Sequence, residues 1–136
     1  MISLSNTSAQ TLAPGQTLTF NNVIFKSRCG SESWRNGTGL VKMRSDCGIY
    51  EIVFNANVTG ATAGAAVQVG MSLSGAALPE TTAVYTPAAA NAIGHISTST
   101  IVKNSCGDYD SVSIVNNGTN PVIISANANI FVRRIA

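Results

Sequence analysis

An all-β, two-sheet antiparallel jelly-roll sandwich is the fold this sequence predicts, and three observations predict it. Residues 50–58, Tyr-Glu-Ile-Val-Phe-Asn-Ala-Asn-Val, alternate apolar and polar side chains, so Tyr50, Ile52, Phe54, Ala56 and Val58 fall on one face of an extended strand. Other segments of the same two-residue period lie along the chain, separated by Gly, Asn and Pro turn signals at the spacing of a sandwich or barrel. No segment carries the period of an amphipathic helix. Roughly eight to ten strands in this order fit two packed antiparallel sheets, and no fixed-period repeat points to a propeller or solenoid.

In chain order, Ala13-Pro14-Gly15 is a turn that launches a strand over 16–20, and Asn21-Asn22 leads into one over 23–25. A long loop over 27–38 holds Cys29, the single Trp34 and Asn36-Gly37. A strand over 40–43 follows, and Asp46-Cys47-Gly48 turns the chain into the 50–58 strand. In 66–73, Val67, Val69, Met71 and Leu73 share a face, and Ser74-Gly75 closes a hairpin into 78–85. The alanine-rich loop over 87–94 leaves room for one helical turn at most. Strands over 95–103 and 110–115 come next, and Asn116-Asn117-Gly118-Thr119-Asn120-Pro121 is a turn before a last strand over 122–135. Residues 1–136 are read as one domain, with 1–11 as a flexible or assembly arm. The predicted core includes Tyr50, Ile52, Phe54, Val67, Val69, Leu73, Val112, Ile114, Ile124, Ile130 and Val132.

Composition narrows the function classes. A chain of 136 residues buries enough surface to hold a core without metal or disulfide. Only 10% of its residues are charged, so much of its surface must be Ser, Thr, Asn and Gly, which suits a protein packed against copies of itself. The net charge of +2 is too small to imply nucleic acid as a partner. Lys26, Arg28, Arg35, Lys42 and Arg44 do cluster in sequence, as a solvated face or, in the sharper reading, a phosphate-binding patch. The first residues carry no signal-peptide pattern and no stretch reaches the length of a membrane span, so synthesis and folding in a bacterial cytoplasm, with no membrane partner, are expected. Cys29, Cys47 and Cys106 are odd in number and lack C-x-x-C spacing, which argues against a zinc site or a disulfide framework. They are expected as buried free thiols, with a late Cys29–Cys47 pair as the alternative. Sequons at Asn6, Asn36, Asn57 and Asn117 are read as by-products of an Asn- and Thr-rich strand protein.

Little in the chain is arranged for catalysis. His95 is the only histidine, and no nucleophile motif surrounds any Ser or Cys, so no catalytic residue, metal or cofactor is expected. Asp108 and Asp110, with Asn104, are the one carboxylate group worth testing as a Ca²⁺ loop. Trp34, with Arg35 and Asn36, is the candidate receptor or sugar contact, since an indole offers an apolar stacking face; the alternative is that it pins its loop. Toward the C-terminus the alternation decays, with Ile123 beside Ile124 and Ile130-Phe131-Val132 continuously apolar, as in a strand with both faces out of water. If Ala56 and Ala128 face the core, Val53, Asn55, Asn57, Asn127, Asn129 and Phe131 face outward together as a symmetric subunit interface of amides and apolar groups. The alternative places Phe131 under a local loop.

The segment Gly48-Ile49-Tyr50-Glu51-Ile52-Val53-Phe54 resembles the G-x-Y-x-[IV]-x-[FY] strand of tumour-necrosis-factor-like and complement-globular-head jelly rolls. The 67–85 hairpin and the 112–132 tail resemble the bacterial and bacteriophage branch typified by the C-terminal domain of the exosporium glycoprotein BclA. The resemblance spans nearly everything from about Leu12. It implies a homotrimer without enzymatic function, with the last strand beside the Tyr50 strand in an inner sheet. No Gly-X-Y triplets are visible, so a free-standing head or cap is expected rather than the end of a collagen stalk. The expected function is a structural protein on a phage or prophage virion surface, as capsid decoration, head fibre or tail-fibre tip, beside other virion proteins and binding a host-surface receptor or glycan. A spore-coat or exosporium protein on the spore surface, and a secreted lectin or cytokine-like ligand, are the alternatives.

Overall fold

The computed structural model describes residues 1–136 as twelve strands with no helix. In chain order they are β1 (Ile2–Ser5), β2 (Gln10–Leu12), β3 (Asn22–Lys26), β4 (Glu32–Trp34), β5 (Val41–Met43), β6 (Ile49–Thr59), β7 (Val67–Leu73), β8 (Ala76–Tyr85), β9 (Ile93–Lys103), β10 (Ser111–Val115), β11 (Val122–Ile124) and β12 (Asn129–Arg134). Seven form one antiparallel sheet in the order β2-β11-β6-β12-β1-β3, with β9 on the other side of β6; the order β4-β5-β10-β7-β8 forms the second. The two sheets make the expected jelly-roll sandwich.

The alternation in β6 sets the layering. Tyr50, Ile52, Phe54, Ala56 and Val58 are buried while Val53, Asn55 and Asn57 look the other way, and the opposing sheet supplies Val41, Met43, Val67, Val69, Met71, Val112 and Ile114 to the same core. Phe54 is fully buried there, so truncation to Ala costs about 3–5 kcal/mol. The β7–β8 hairpin closes at Ser74 and Gly75, whose φ values of 49° and 87° are the paired left-handed conformations of the tight turn that strand twist favours. Beyond β8 the chain crosses to β9, and the Tyr85 ring lies directly on Gly94, where any Cβ would collide with it. The Tyr85 hydroxyl donates to the Ala92 carbonyl at 3.2 Å, so ring and hydroxyl both fasten this crossing between the sheets.

Several expectations are corrected. Residues 1–11 are not a free arm: β1 lies between β12 and β3 with Ile2 and Leu4 in the core, and β2 pairs with β11. Residues 16–20 are extended but form only the bridge Thr17–Val115, because their backbone is divided among Ile114, Thr38 and the Gln10 side chain. The loop over 27–38 contains β4. The strand over 122–135 is broken in two: residues 125–128 form a turn with Asn127 at φ 68°, and reciprocal backbone bonds with Asn6 hold the jog. Cys47 and Cys106 form a disulfide, with Cα atoms 4.5 Å apart, while Cys29 is exposed and free. The β6–β9 pairing explains this choice. Ile49 opposite Lys103 brings the β9–β10 loop to the β5–β6 turn, whereas Cys29 lies in the segment between β3 and β4.

Candidate functional site

Two surfaces carry the candidate residues, one on each sheet. On the outward face of the seven-stranded sheet, the register aligns side chains into bands. Ser99, Val53, Phe131, Ser3 and Phe25 form one row across β9, β6, β12, β1 and β3; Ser97, Asn55, Asn129, Ser5 and Asn22 form the next. Ile101, Glu51 and Arg133 continue on the far side of the apolar row, and Arg133 Nη2 lies 2.6 Å from Glu51 Oε2. The Arg133 guanidinium also stands 5.8 Å from the centre of the Phe131 ring.

The amide row is bonded within the chain. Asn55 Nδ2 donates to Asn129 Oδ1 at 3.3 Å, Ser97 Oγ donates to Asn55 Oδ1 at 2.6 Å, and Asn22 Nδ2 donates to Ser5 Oγ at 2.9 Å. His95 Nδ1 lies 3.0 Å from Asn57 Oδ1. Five of the six residues read as an interface, Val53, Asn55, Asn57, Asn129 and Phe131, therefore share this face. Asn127 does not, because the β11–β12 turn removes it from the strand alternation. The apolar row reaches the β3 edge at Phe25 and ends at the β9 edge in Ser99. At the β3 edge Val23, Ile24 and Phe25 are 44–58% exposed; on β9, Ile101 in the neighbouring row and Ile93 near the opposite end of the strand are 62% and 70% exposed. Sequence reading placed β3 as a strand but gave no sign that it would be a bare edge.

The second surface lies on the other sheet. Trp34 is half-buried against the core and its Nε1–H donates to the Thr38 carbonyl at 2.9 Å, so the indole does pin its loop. It also lines a groove of about 440 Å³ with Ser33, Arg35, Thr38, Leu40, Lys42, Arg44 and Ser111. The cross-strand partners Ser33, Lys42 and Ser111 form its floor, since Val41, Met43 and Val112 between them point inward. Of the sequence-predicted triad, Trp34 and Arg35 line this groove and Asn36 does not. Lys42 and Arg44 join it through β4–β5 pairing, a relation no local motif reveals.

Of the candidate Ca²⁺ residues, Asp108 is exposed, while Asn104 and Asp110 are structural in their bonding. The Asp110 carboxylate accepts from the Ser105 backbone N–H and hydroxyl at Oδ2, and from Ser74 Oγ at Oδ1, each at 2.8 Å. The Ser105 backbone bond, foremost, holds its pKa below the ordinary 3.8; partial burial opposes this and the Ser105 and Ser74 hydroxyls reinforce it. Asn104 is fully buried, donating to the Met43 and Ser45 carbonyls while its Oδ1 accepts the Asp110 N–H. Asn104, through both ends of its amide, and Asp110, through its carboxylate, thus organise the β9–β10 loop, and no group of three or more acidic, His or Cys side chains is placed to hold a metal.

No family model and no curated protein matches the chain in sequence. Its fold is similar to that of several solved structures. The Eiger TNF of S. frugiperda superposes with a TM-score of 0.77 at 6% identity, over 99% of this chain and 91% of that one. The globular domain of zebrafish complement 1qA gives 0.64 at 16% identity over 96% and 94%, and murine APRIL gives 0.61 at 14% over 97% and 96%. At such identities the likeness shows the fold: the chain is a jelly roll of the tumour-necrosis-factor and complement-globular-head type.

Proposed function

We propose that the chain is a non-enzymatic, homotrimeric module of a bacteriophage or prophage virion, serving as capsid decoration, head fibre or tail-fibre tip and binding a host-surface receptor or glycan. The observation that carries the assembly is the outward face of the seven-stranded sheet, where Val53 and Phe131 lie between exposed apolar residues on both edge strands, Phe25 on β3 and Ile101 on β9. The β3 edge, with Phe25 near Phe131, and the β9 edge, with Ile101 beside Ser99, present different surfaces, which suits a heterologous contact that closes into a ring rather than a two-fold. Ring size three is what the motif resemblance implies, and the tumour-necrosis-factor-like fold supports it. A chain with 10% charged residues has little else to keep such a face soluble.

The non-enzymatic reading rests on His95, which is exposed and hydrogen-bonded to an amide rather than to a hydroxyl or thiol it would activate. The virion placement rests on the phage-branch resemblance, and the Cys47–Cys106 disulfide accords with a particle surface outside a reducing cytosol. Phe131→Asp tests the assembly: three carboxylates brought into a closing interface lose hydration without a partner, so the variant is expected to elute as a monomer or to unfold. A Phe131→Asp protein that is folded and keeps the native oligomeric mass would contradict the interface. Mass spectrometry of purified particles tests the placement, and consistent absence of the chain from them would overturn it.

A further inference from the structure

We propose that the groove at the β4–β5 edge binds an acidic saccharide, with Arg35, Lys42 and Arg44 taking its carboxylate or phosphate groups and Trp34 and Leu40 taking an apolar sugar face. This rests on the glycan-binding part of the proposed function and names the ligand class and the site. Three of the chain's eight basic residues line this one groove, and no acidic residue lines it. The only ion pairs in the protein are Met1–Glu32 and Arg133–Glu51, so none of the three cations is neutralised by a carboxylate. The acids close in sequence have other partners: Glu32 is buried against the N-terminal ammonium, Asp46 accepts the Gly107 N–H at 3.2 Å, and Asp110 is bound by Ser74 and Ser105.

The cations are also positioned. Arg44 Nε donates to Ser33 Oγ at 2.8 Å, which aims the guanidinium and leaves its two terminal nitrogens for a planar or tetrahedral anion. Lys42 Nζ lies 5.9 Å from the centre of the Tyr109 ring. Leu40, 52% exposed, stands at the other end, and a second groove of about 310 Å³ begins there, lined by Thr17, Ser72, Ala77 and Ser113 among others. A charged head, an indole edge and a continuation lined with hydroxyls suit a chain of sugars more than a compact anion. Both grooves lie mainly on the sheet opposite the proposed interface, so the two readings can fail separately.

Titration calorimetry on the full chain tests it, with an oligogalacturonate as the carboxylate probe, an oligo(glycerol phosphate) bearing sugar as the phosphate probe, neutral dextran of equal length as control, and single-stranded DNA as competitor. Binding to at least one acidic saccharide is expected, weakening with salt and falling about tenfold or more in Arg44→Gln and further in Lys42→Gln/Arg44→Gln. The oligomeric mass of each variant, measured alongside, is expected to match the parent. The inference is overturned if neither acidic probe binds, if binding survives the double variant, or if DNA of equal charge competes equally well. Binding of dextran alone would overturn the acidic class and leave glycan binding standing, whereas a monomeric parent chain that still binds would sink only the trimer.

Discussion

Breaking the Cys47–Cys106 bond removes a constraint across 59 residues of sequence. By the chain-entropy relation, closing a loop of that length in the unfolded state is worth about 4 kcal/mol at 25 °C. For a domain of this size each kcal/mol moves the melting midpoint by about 3–4 °C, so the Cys47→Ser/Cys106→Ser protein is expected to melt roughly 10–15 °C below the oxidised parent. The assay is thermal unfolding followed by circular dichroism at one fixed chain concentration, since the proposed assembly would make the midpoint concentration-dependent. Reductant should bring the parent down to the variant and leave the variant unmoved. Thiol titration of the denatured, unreduced parent should count Cys29 alone. Three reactive thiols, or equal midpoints with and without reductant, would refute the pairing.

Three further outcomes follow from the site geometry. Asn104→Ala leaves the Met43 and Ser45 carbonyls and the Asp110 N–H without their side-chain partner, and should cost roughly 2–4 kcal/mol in denaturant unfolding; a loss too small to measure would mean the loop is held by other means. Because the folded-state pKa of Asp110 lies below the ordinary 3.8, its contribution to stability is present above that value and is lost as pH falls through the folded pKa. The stability gap between the parent and Asp110→Asn should therefore hold steady from neutral pH to about 5 and shrink in stronger acid, and a gap independent of pH would contradict the assignment. Finally, His95→Ala should leave the protein folded and equally devoid of hydrolase turnover; robust parental turnover that vanishes in the variant would overturn the non-enzymatic reading.

What could be read from sequence follows burial. Strand β6 was legible because one face is wholly inside, which enforces strict alternation over its length. Strand β4 was not, since Glu-Ser-Trp is three residues long and its buried Glu32 reads as a surface charge until the N-terminal ammonium and the Arg134 N–H are seen beside it. In β1 the Ile2 and Leu4 alternation was present but too short to distinguish a central strand from an arm. The outward band was half legible. Alternation placed Val53, Asn55 and Asn57, but continuing it through residues 125–128 put Asn127 on the wrong surface, because a left-handed residue resets the face. The Trp34 groove was legible only as a local triplet, since Lys42 and Arg44 reach it through strand pairing and Asn36 leaves it through a turn. Cysteine counting failed at Cys106 because disulfide choice depends on which loops the sheet register brings together.

The homotrimer is tested most directly by the mass of the unmodified, oxidised chain in light scattering coupled to size exclusion at micromolar concentration. Three times the 14.0 kDa chain mass is expected, unchanged over a tenfold dilution if the outward apolar residues Phe25, Phe131, Val53 and Ile101 are buried between copies. A stable, soluble monomer of 14.0 kDa would contradict it.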